Sequence, residues 1–269
     1  MPQQNQAAID RGVAHPATVA VCPGNDGKAT MAKAAELARE LGLPLTLAAD
    51  AGHDLLLAVT AERLELRTTL SHGPGPVYAE FNGGAMGYSR RVSGSRLLFQ
   101  AVGFRAGPPS VVDATAGLGQ DAFLLAWMGC RVTAVERSPI VAALLQDGMR
   151  RSVRVPELEA ILRDRLRLVV GDARSVLKDL PASHVPEVVY LDPMYPARSK
   201  SALGRKEMDI LRRIVGHDED AQELLSIART VARRHVVVKR MHHAPPLAPQ
   251  PTRVYEGKTT RYDVYVRGR

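Results

Sequence analysis

Cysteine and aromatic residues are scarce in this chain. Of its 269 residues two are Cys, Cys22 and Cys130, one is Trp, and the aromatics together make up 4%. Two cysteines build neither a disulfide framework nor a cysteine-rich zinc site. His242-His243 is not at a metal-ligand spacing either, so no metal is expected. Cys130 reads as a small buried hydrophobe. No apolar run approaches the roughly 18 residues of a membrane helix. The opening Met1 to Pro16 is polar, without the apolar centre of a secretory signal. With 45% hydrophobic and 24% charged residues, the composition is that of a globular chain long enough for one large domain or two modest ones. The expectation is a soluble, cytoplasmic protein.

Acidic charge is the next shortage, and it is local. The chain has 36 Lys+Arg against 28 Asp+Glu, a formal charge of +8. Residues 1–95 hold 8 basic and 9 acidic side chains, whereas residues 96–269 hold 28 and 19. The excess positive charge therefore belongs entirely to the later two thirds. That suits a polyanionic partner, because Lys and Arg release counterions from a phosphate backbone. A solvated basic surface is the alternative.

The first segment reads as a small mixed α/β unit. Thr18–Cys22 is a short strand, followed by the turn Pro23-Gly24-Asn25-Asp26-Gly27 and a helix from Ala29 to Leu41. Gly42 and then Pro44 end that helix. Leu45–Leu47, Leu55–Thr60, Leu64–Arg67 and Val77–Phe81 read as further strands. The glycine-rich run Asn82 to Gly87, beside Arg90 and Arg91, is either a close approach to a phosphate or a flexible connection.

From about Arg96 strands and helices alternate. Ser110–Ala114, Arg131–Glu136, Leu166–Val170, Val188–Leu191 and His235–Val238 read as strands. Gln120–Met128 is an almost wholly apolar helix. Ser138 caps another, with Pro139 at its first position and an apolar face through Ile140, Val141, Leu144, Leu145, Gly148 and Met149. Such alternation specifies a doubly wound, mostly parallel α/β sheet with helices on both faces. The tail, Thr252–Glu256 and Tyr262–Arg267, reads as a closing hairpin. The expected division is a small N-terminal α/β region, 1–95, and a main domain, 96–269.

In a sheet of this kind ligands lie outside the carboxyl ends of the strands. The first such strand runs into Asp113-Ala114-Thr115-Ala116-Gly117-Leu118-Gly119-Gln120-Asp121, the second ends at Glu136, the third at Gly171-Asp172, and the fourth at Asp192-Pro193-Met194-Tyr195. Gly117 and Gly119 let the backbone turn tightly against a ligand. Glu136 is placed to accept ribose hydroxyls. Gly117-x-Gly119-x-x-Ala122 with Glu136 also fits a dinucleotide fingerprint. Two features favour S-adenosylmethionine over NAD. Asp113 precedes the glycines, where it can receive an amine, and Asp-Pro-x-Tyr has no task in hydride transfer.

That tetrapeptide suits methylation of an exocyclic amino group. Such a nitrogen is a poor nucleophile because its lone pair is delocalised into the ring. The Asp192 carboxylate and the Pro193 carbonyl can accept its two N–H bonds and aim the lone pair at the methyl group. Tyr195 can stack on the base. Transfer then depends mainly on proximity.

The strings Val111 to Gly119, Glu136-Arg137, Tyr190 to Pro196 and Val236 to Arg240 resemble the ribosomal RNA small subunit methyltransferase J family. The resemblance runs from about Val77 to the end and is loose before that. It implies a class I, Rossmann-like methyltransferase domain, S-adenosylmethionine as cofactor, and methylation of a guanosine N2 in small-subunit (16S) rRNA. It also implies cofactor contacts at Gln120, Asp121, Glu136, Arg137, Asp172, Ala173 and Asp192. Two positions depart: Gln120 stands where the family has Arg, and Met194 where the wider amino-methyltransferase motif has Pro.

Arg198, Lys200, Arg205 and Lys206, in a basic stretch that continues to Arg212 and Arg213 against Glu207 and Asp209, either grip rRNA phosphates beside the target base, the expectation here, or form a solvated helix face. Lys239 and Arg240, at the fifth strand's end, are expected to face the same groove. The rival readings are an amino-methyltransferase acting on DNA or another RNA, an NAD-dependent oxidoreductase, and a non-catalytic rRNA-binding assembly factor. Protein partners are not readable from the sequence.

Overall fold

The computed structural model describes residues 17–47, 52–70, 73–81, 95–194, 204–216 and 218–267, with backbone alone for 204–208. Two sheets organise it. The smaller is built from β1 (Val19–Pro23), β2 (Leu55–Val59) and β3 (Leu64–Thr68), in that order, β1 parallel and β3 antiparallel to β2. Helix α1 (Lys28–Leu41) makes the crossover. It stops at Gly42, which takes the left-handed conformation (φ 64°) and donates its N–H back to the last turn. Leu45 and Val77 make only single bridges, to Val21 and Leu66, where strands were expected. Pro44 and Pro76, immediately before them, have no N–H to continue a ladder.

The larger sheet follows α2 (Arg96–Ala101). In chain order it comprises β4 (Ser110–Asp113), α3 (Gln120–Trp127), β5 (Arg131–Glu136), α4 (Pro139–Ser152), α5 (Pro156–Asp164), β6 (Leu166–Val170), α6 (Ala173–Lys178) and β7 (Val188–Leu191). Then come α7 (Gly204–Val215), α8 (Ala221–Val231), β8 (His235–Met241), β9 (Arg253–Glu256) and β10 (Thr260–Val266). Its order is β6-β5-β4-β7-β8-β10-β9. The first five strands are parallel, and β10 and β9 return antiparallel as the expected terminal hairpin. The chain winds outward from β4 to β6 and then restarts beside β4 with β7, so the switch point lies between β4 and β7.

Strand alternation divides the core into two layers. Val111, Val132, Val188 and Tyr190 pack under Phe123 and Leu125 of α3 and Leu98 of α2. Val112, Val135, Val189 and Leu191 point the other way, against Leu177 of α6 and Leu224, Leu225 and Ala228 of α8. A third cluster joins the two sheets. Val21, Leu55, Leu57 and Leu66 of the small sheet share it with Val141 and Leu144 of α4 and Ile210 and Leu211 of α7. Polar contacts reinforce the junction. Asp147 of α4 accepts the Leu64 N–H at 3.1 Å, and Arg151 pairs with Glu80 at 3.0 Å and also bonds the Ala79 carbonyl. Among the described residues no helix is long and apolar enough to cross a membrane, and no group of three or more His, Cys, Asp or Glu is placed to hold a metal.

Candidate active site

The site is assembled at the switch point from the turns that leave β4, β5 and β7. After β4 the chain turns through Thr115 to Gly119, where Gly117 and Gly119 both have positive φ, 54° and 75°. The two glycines differ in their surroundings. A Cβ on Gly119 would stand 2.5 Å from Leu145 Cδ1, so that glycine lets α3 begin close against α4. A Cβ on Gly117 would meet nothing within 4 Å among the described residues, so the loop there opens outward.

Glu136 fixes that loop. Its carboxylate accepts N–H bonds from Gly117 and from Ser138, both at 2.8 Å, tying the glycine turn to the start of α4. The side chain is buried. Burial raises its pKa above the usual carboxylate value, and the two backbone donors oppose that rise. Two oxygens with about four acceptor positions still leave room for a ligand's hydroxyls.

Asp113, at the end of β4, is 2% exposed and accepts the Thr115 N–H at 3.1 Å. Burial first, and then the carboxylates of Asp121 and Asp192, hold its pKa well above the ordinary range. Asp192, just past β7, donates its backbone N–H to Thr115 Oγ1 at 2.6 Å, so the Asp-Pro turn hangs directly on the glycine loop. Its carboxylate takes an ion pair from Lys239 of β8 at 2.9 Å. Asp121, in the first turn of α3, accepts from the Tyr190 hydroxyl at 2.6 Å and from Lys239 at 2.7 Å. The Met194 N–H donates to Asp218 at 2.6 Å, and Asp218 also pairs with Arg137. Thus Asp218 holds the turn after β7 and the residue after β5 together.

These features fit S-adenosylmethionine. The loop has an open glycine face, a buried carboxylate stands at the end of β4 for an amine, and another at the end of β5 can accept ribose hydroxyls. A family model described as "Putative SAM-dependent methyltransferase" matches residues 37–267. The ribosomal RNA small subunit methyltransferase J of Thioalkalivibrio sulfidiphilus is 48% identical over 240 residues, covering 88% of this chain and 93% of that protein. Its namesake in Coxiella burnetii is 44% identical over 242 residues, with the same coverage of 88% and 93%. The chain belongs to the ribosomal RNA small subunit methyltransferase J family. A solved SAM-dependent methyltransferase from Neisseria gonorrhoeae superposes with a TM-score of 0.72 at 34% identity, over 93% of this chain and 96% of that one. The fold is accordingly that of a class I methyltransferase, its cofactor is S-adenosylmethionine, and the NAD reading falls. The likeness also reaches further toward the amino end than Val77, since the family match begins at residue 37.

Family membership does not assign every residue as the sequence suggested. Lys239 is not a surface cation. Its ammonium lies between two carboxylates, and reaching an RNA phosphate would break both pairs. Arg240 is 5% exposed, and its guanidinium bonds the Pro245 carbonyl, so it is buried rather than presented to an RNA phosphate. Arg137 spends its charge on Asp218 and Asp220, and Asp121 serves Tyr190 and Lys239. Asp172 caps α6 and pairs with Arg174 at 2.6 Å, which holds its pKa below the usual value. Ala173 beside it is buried, and Gln120 is exposed at the start of α3. Pro193 is buried beside Asp192. Tyr195, Arg90, Arg91, Arg198 and Lys200 lie outside the described residues, as do the side chains of Arg205 and Lys206. Thr115, Tyr190 and Asp218 were not anticipated. Thr115 stood inside the motif, whereas Asp218 sits in the run Asp218-Glu219-Asp220, which by itself reads as solvated.

Proposed function

We propose that this protein transfers a methyl group from S-adenosylmethionine to the exocyclic N2 of a guanosine in small-subunit (16S) rRNA. The observation that carries the reading is the hydrogen bond from the Asp192 N–H to Thr115 Oγ1, which joins the amine-accepting turn to the glycine loop. When bound, the cofactor would supply a sulfonium methyl as the electrophilic carbon, the S–CH3 bond breaking as the N–C bond forms and leaving its electron pair on a neutral thioether sulfur. Asp113, with Gly117 and Gly119, receives the amino-acid end. Glu136 accepts the ribose hydroxyls, and Asp172 and Ala173, next along the sheet, meet the adenine. Gln120 and Arg137 border that cradle.

Asp192 and the Pro193 carbonyl accept the two N–H bonds of the target amine and turn its lone pair out of conjugation. Pro193 suits the task because its ring fixes φ and so the direction of its carbonyl. Tyr195 stacks on the guanine. No strong base is required: once the N–C bond has formed, the nitrogen is acidic and its proton passes to water. Arg198, Lys200, Arg205 and Lys206, with Arg90 and Arg91, engage phosphates beside the target nucleotide. Residues 1–95 form an accessory α/β unit on the catalytic domain 96–269. The reaction belongs to the cytoplasm, where ribosomal RNA is found. The names of the rRNA methyltransferase relatives favour this substrate over DNA, and an acceptor turn tied to the cofactor loop favours an enzyme over an assembly factor.

Digestion of small subunits labelled by the enzyme should yield N2-methylguanosine as the labelled nucleoside. Label in another nucleoside, or label only in DNA, would overturn the reading.

A further inference from the structure

Lys239 is the cation at the centre of the site, and its partners lie on different elements. Its Nζ is 2.7 Å from Asp121 Oδ2 and 2.9 Å from Asp192 Oδ2. Asp121 is itself fixed by the buried Tyr190 hydroxyl. A chain of polar contacts therefore runs from β7 through α3 and β8 to the acceptor turn. We propose that Lys239 is a positioning residue for methyl transfer: its ammonium, seated between Asp121 and Asp192, fixes Asp192 by Oδ2 and leaves Oδ1 to receive the N–H of the target amine. The assignment rests on the role given to Asp192 above.

The surroundings of Asp192 explain why a cation is needed there. Carboxylates of Asp113 on β4, Asp121 on α3 and Asp218 ahead of α8 act on it, as do the hydroxyls of Tyr190 on β7 and Tyr262 on β10. The cations are Lys239 and Arg240, both on β8. Partial desolvation of a side chain still 42% exposed and the neighbouring carboxylates push the Asp192 pKa up, and Lys239 is the strongest influence pulling it back. Without that ammonium Asp192 would take up a proton at higher pH, and a protonated carboxyl offers a donor where the amine needs an acceptor. Lys239 is not itself a base, because the same two carboxylates raise its pKa above the ordinary lysine value despite its burial.

The test compares Lys239→Gln and Lys239→Arg with wild type on small ribosomal subunits lacking the modification. It adds carboxylate 13C NMR titration of Asp192 in the free protein, assigned with Asp192→Asn. Lys239→Gln should lower kcat about 10- to 100-fold, the scale of one charge-assisted hydrogen bond, with KM for the subunit within about twofold. The acid limb of kcat and the Asp192 titration should both move up by about 1 to 3 pH units. Lys239→Arg, which keeps the charge, should restore most of the rate and return both toward wild type. If the limb and the titration stay in place in Lys239→Gln, the proposal is wrong. It is also wrong if kcat is unchanged while KM rises and salt dependence flattens, because that is the behaviour of a phosphate contact. A wild-type protein silent on the subunits, with a titration that still moves in Lys239→Gln, would overturn the rRNA reading and uphold the coupling of Lys239 to Asp192.

Discussion

Gly148 offers a prediction in which two opposing effects give opposite signs. It lies in α4, where replacing glycine by alanine gains about 0.8–1.0 kcal/mol of helix propensity. The new Cβ would stand 2.7 Å from the Ala79 Cβ and 2.9 Å from the Ala79 carbonyl oxygen. Ala79 is 1% exposed, and the atoms met belong to its backbone and Cβ, so no flexible side chain can swing aside. Overpacking of that kind costs about 1–3 kcal/mol. Relief by moving the segment away from α4 would also stretch the bonds from Arg151 to Ala79 and Glu80, each worth about 1 kcal/mol. Because the atoms met are backbone and Cβ, the cost falls in the upper part of that range, about 2–3 kcal/mol, and after the gain of about 1 kcal/mol Gly148→Ala should lose about 1–2 kcal/mol. In a domain of this size that lowers Tm by roughly 2–8 °C. Urea and thermal unfolding measure it, with Gln146→Ala, on the exposed side of the same helix, as a control expected within about 0.5 kcal/mol. A Gly148→Ala protein as stable as wild type, or more stable, would show that α4 and residue 79 do not approach as described.

Two further predictions concern charge. Asp113 has a pKa held well above the carboxylate range by burial and by Asp121 and Asp192. A raised folded-state value means that its contribution to stability is complete below about pH 3.9, the unfolded value, and is lost as pH rises through the folded one. The stability of wild type relative to Asp113→Asn should therefore fall as pH rises above about 3.9 in thermal unfolding, and a relative stability that grows with pH would contradict this. In the basic stretch after the acceptor turn, the charge reversals Arg205→Glu with Lys206→Glu should weaken rRNA binding. They should also reduce the salt slope by about 0.7–0.9 for each phosphate no longer neutralised, and an unchanged slope in a filter-binding titration would remove those residues from the interface.

Much of the frame was legible because it depends on local pattern. Strands β5, β6 and β7 fall at the expected residues, since short β-branched runs bounded by polar ends have one reading. The start of α4 was equally plain, and Ser138 Oγ does accept the Val141 N–H. Helix α6 was not foreseen, for its six residues are too few to display a period. Helix α5 follows α4 after only three residues, with no glycine to mark the break. At the site, the glycines and terminal carboxylates could be located from the chain alone, because each ends a strand or lies in the turn that follows one. The roles of Lys239 and Asp218 could not. A lysine at a strand end reads as solvated until Asp121, 118 residues earlier, is brought beside it. Asp218 likewise becomes a structural residue only when the loop before α8 folds over Met194 and Arg137.

The most direct measurement is transfer of labelled methyl from S-adenosylmethionine to small ribosomal subunits lacking the modification, with Asp192→Ala run beside wild type. Wild type should label the rRNA and Asp192→Ala should fall by about 100-fold or more, while its unfolding transition shows that the fold is kept. A folded Asp192→Ala protein with near-normal turnover would contradict the assignment of the acceptor turn to catalysis.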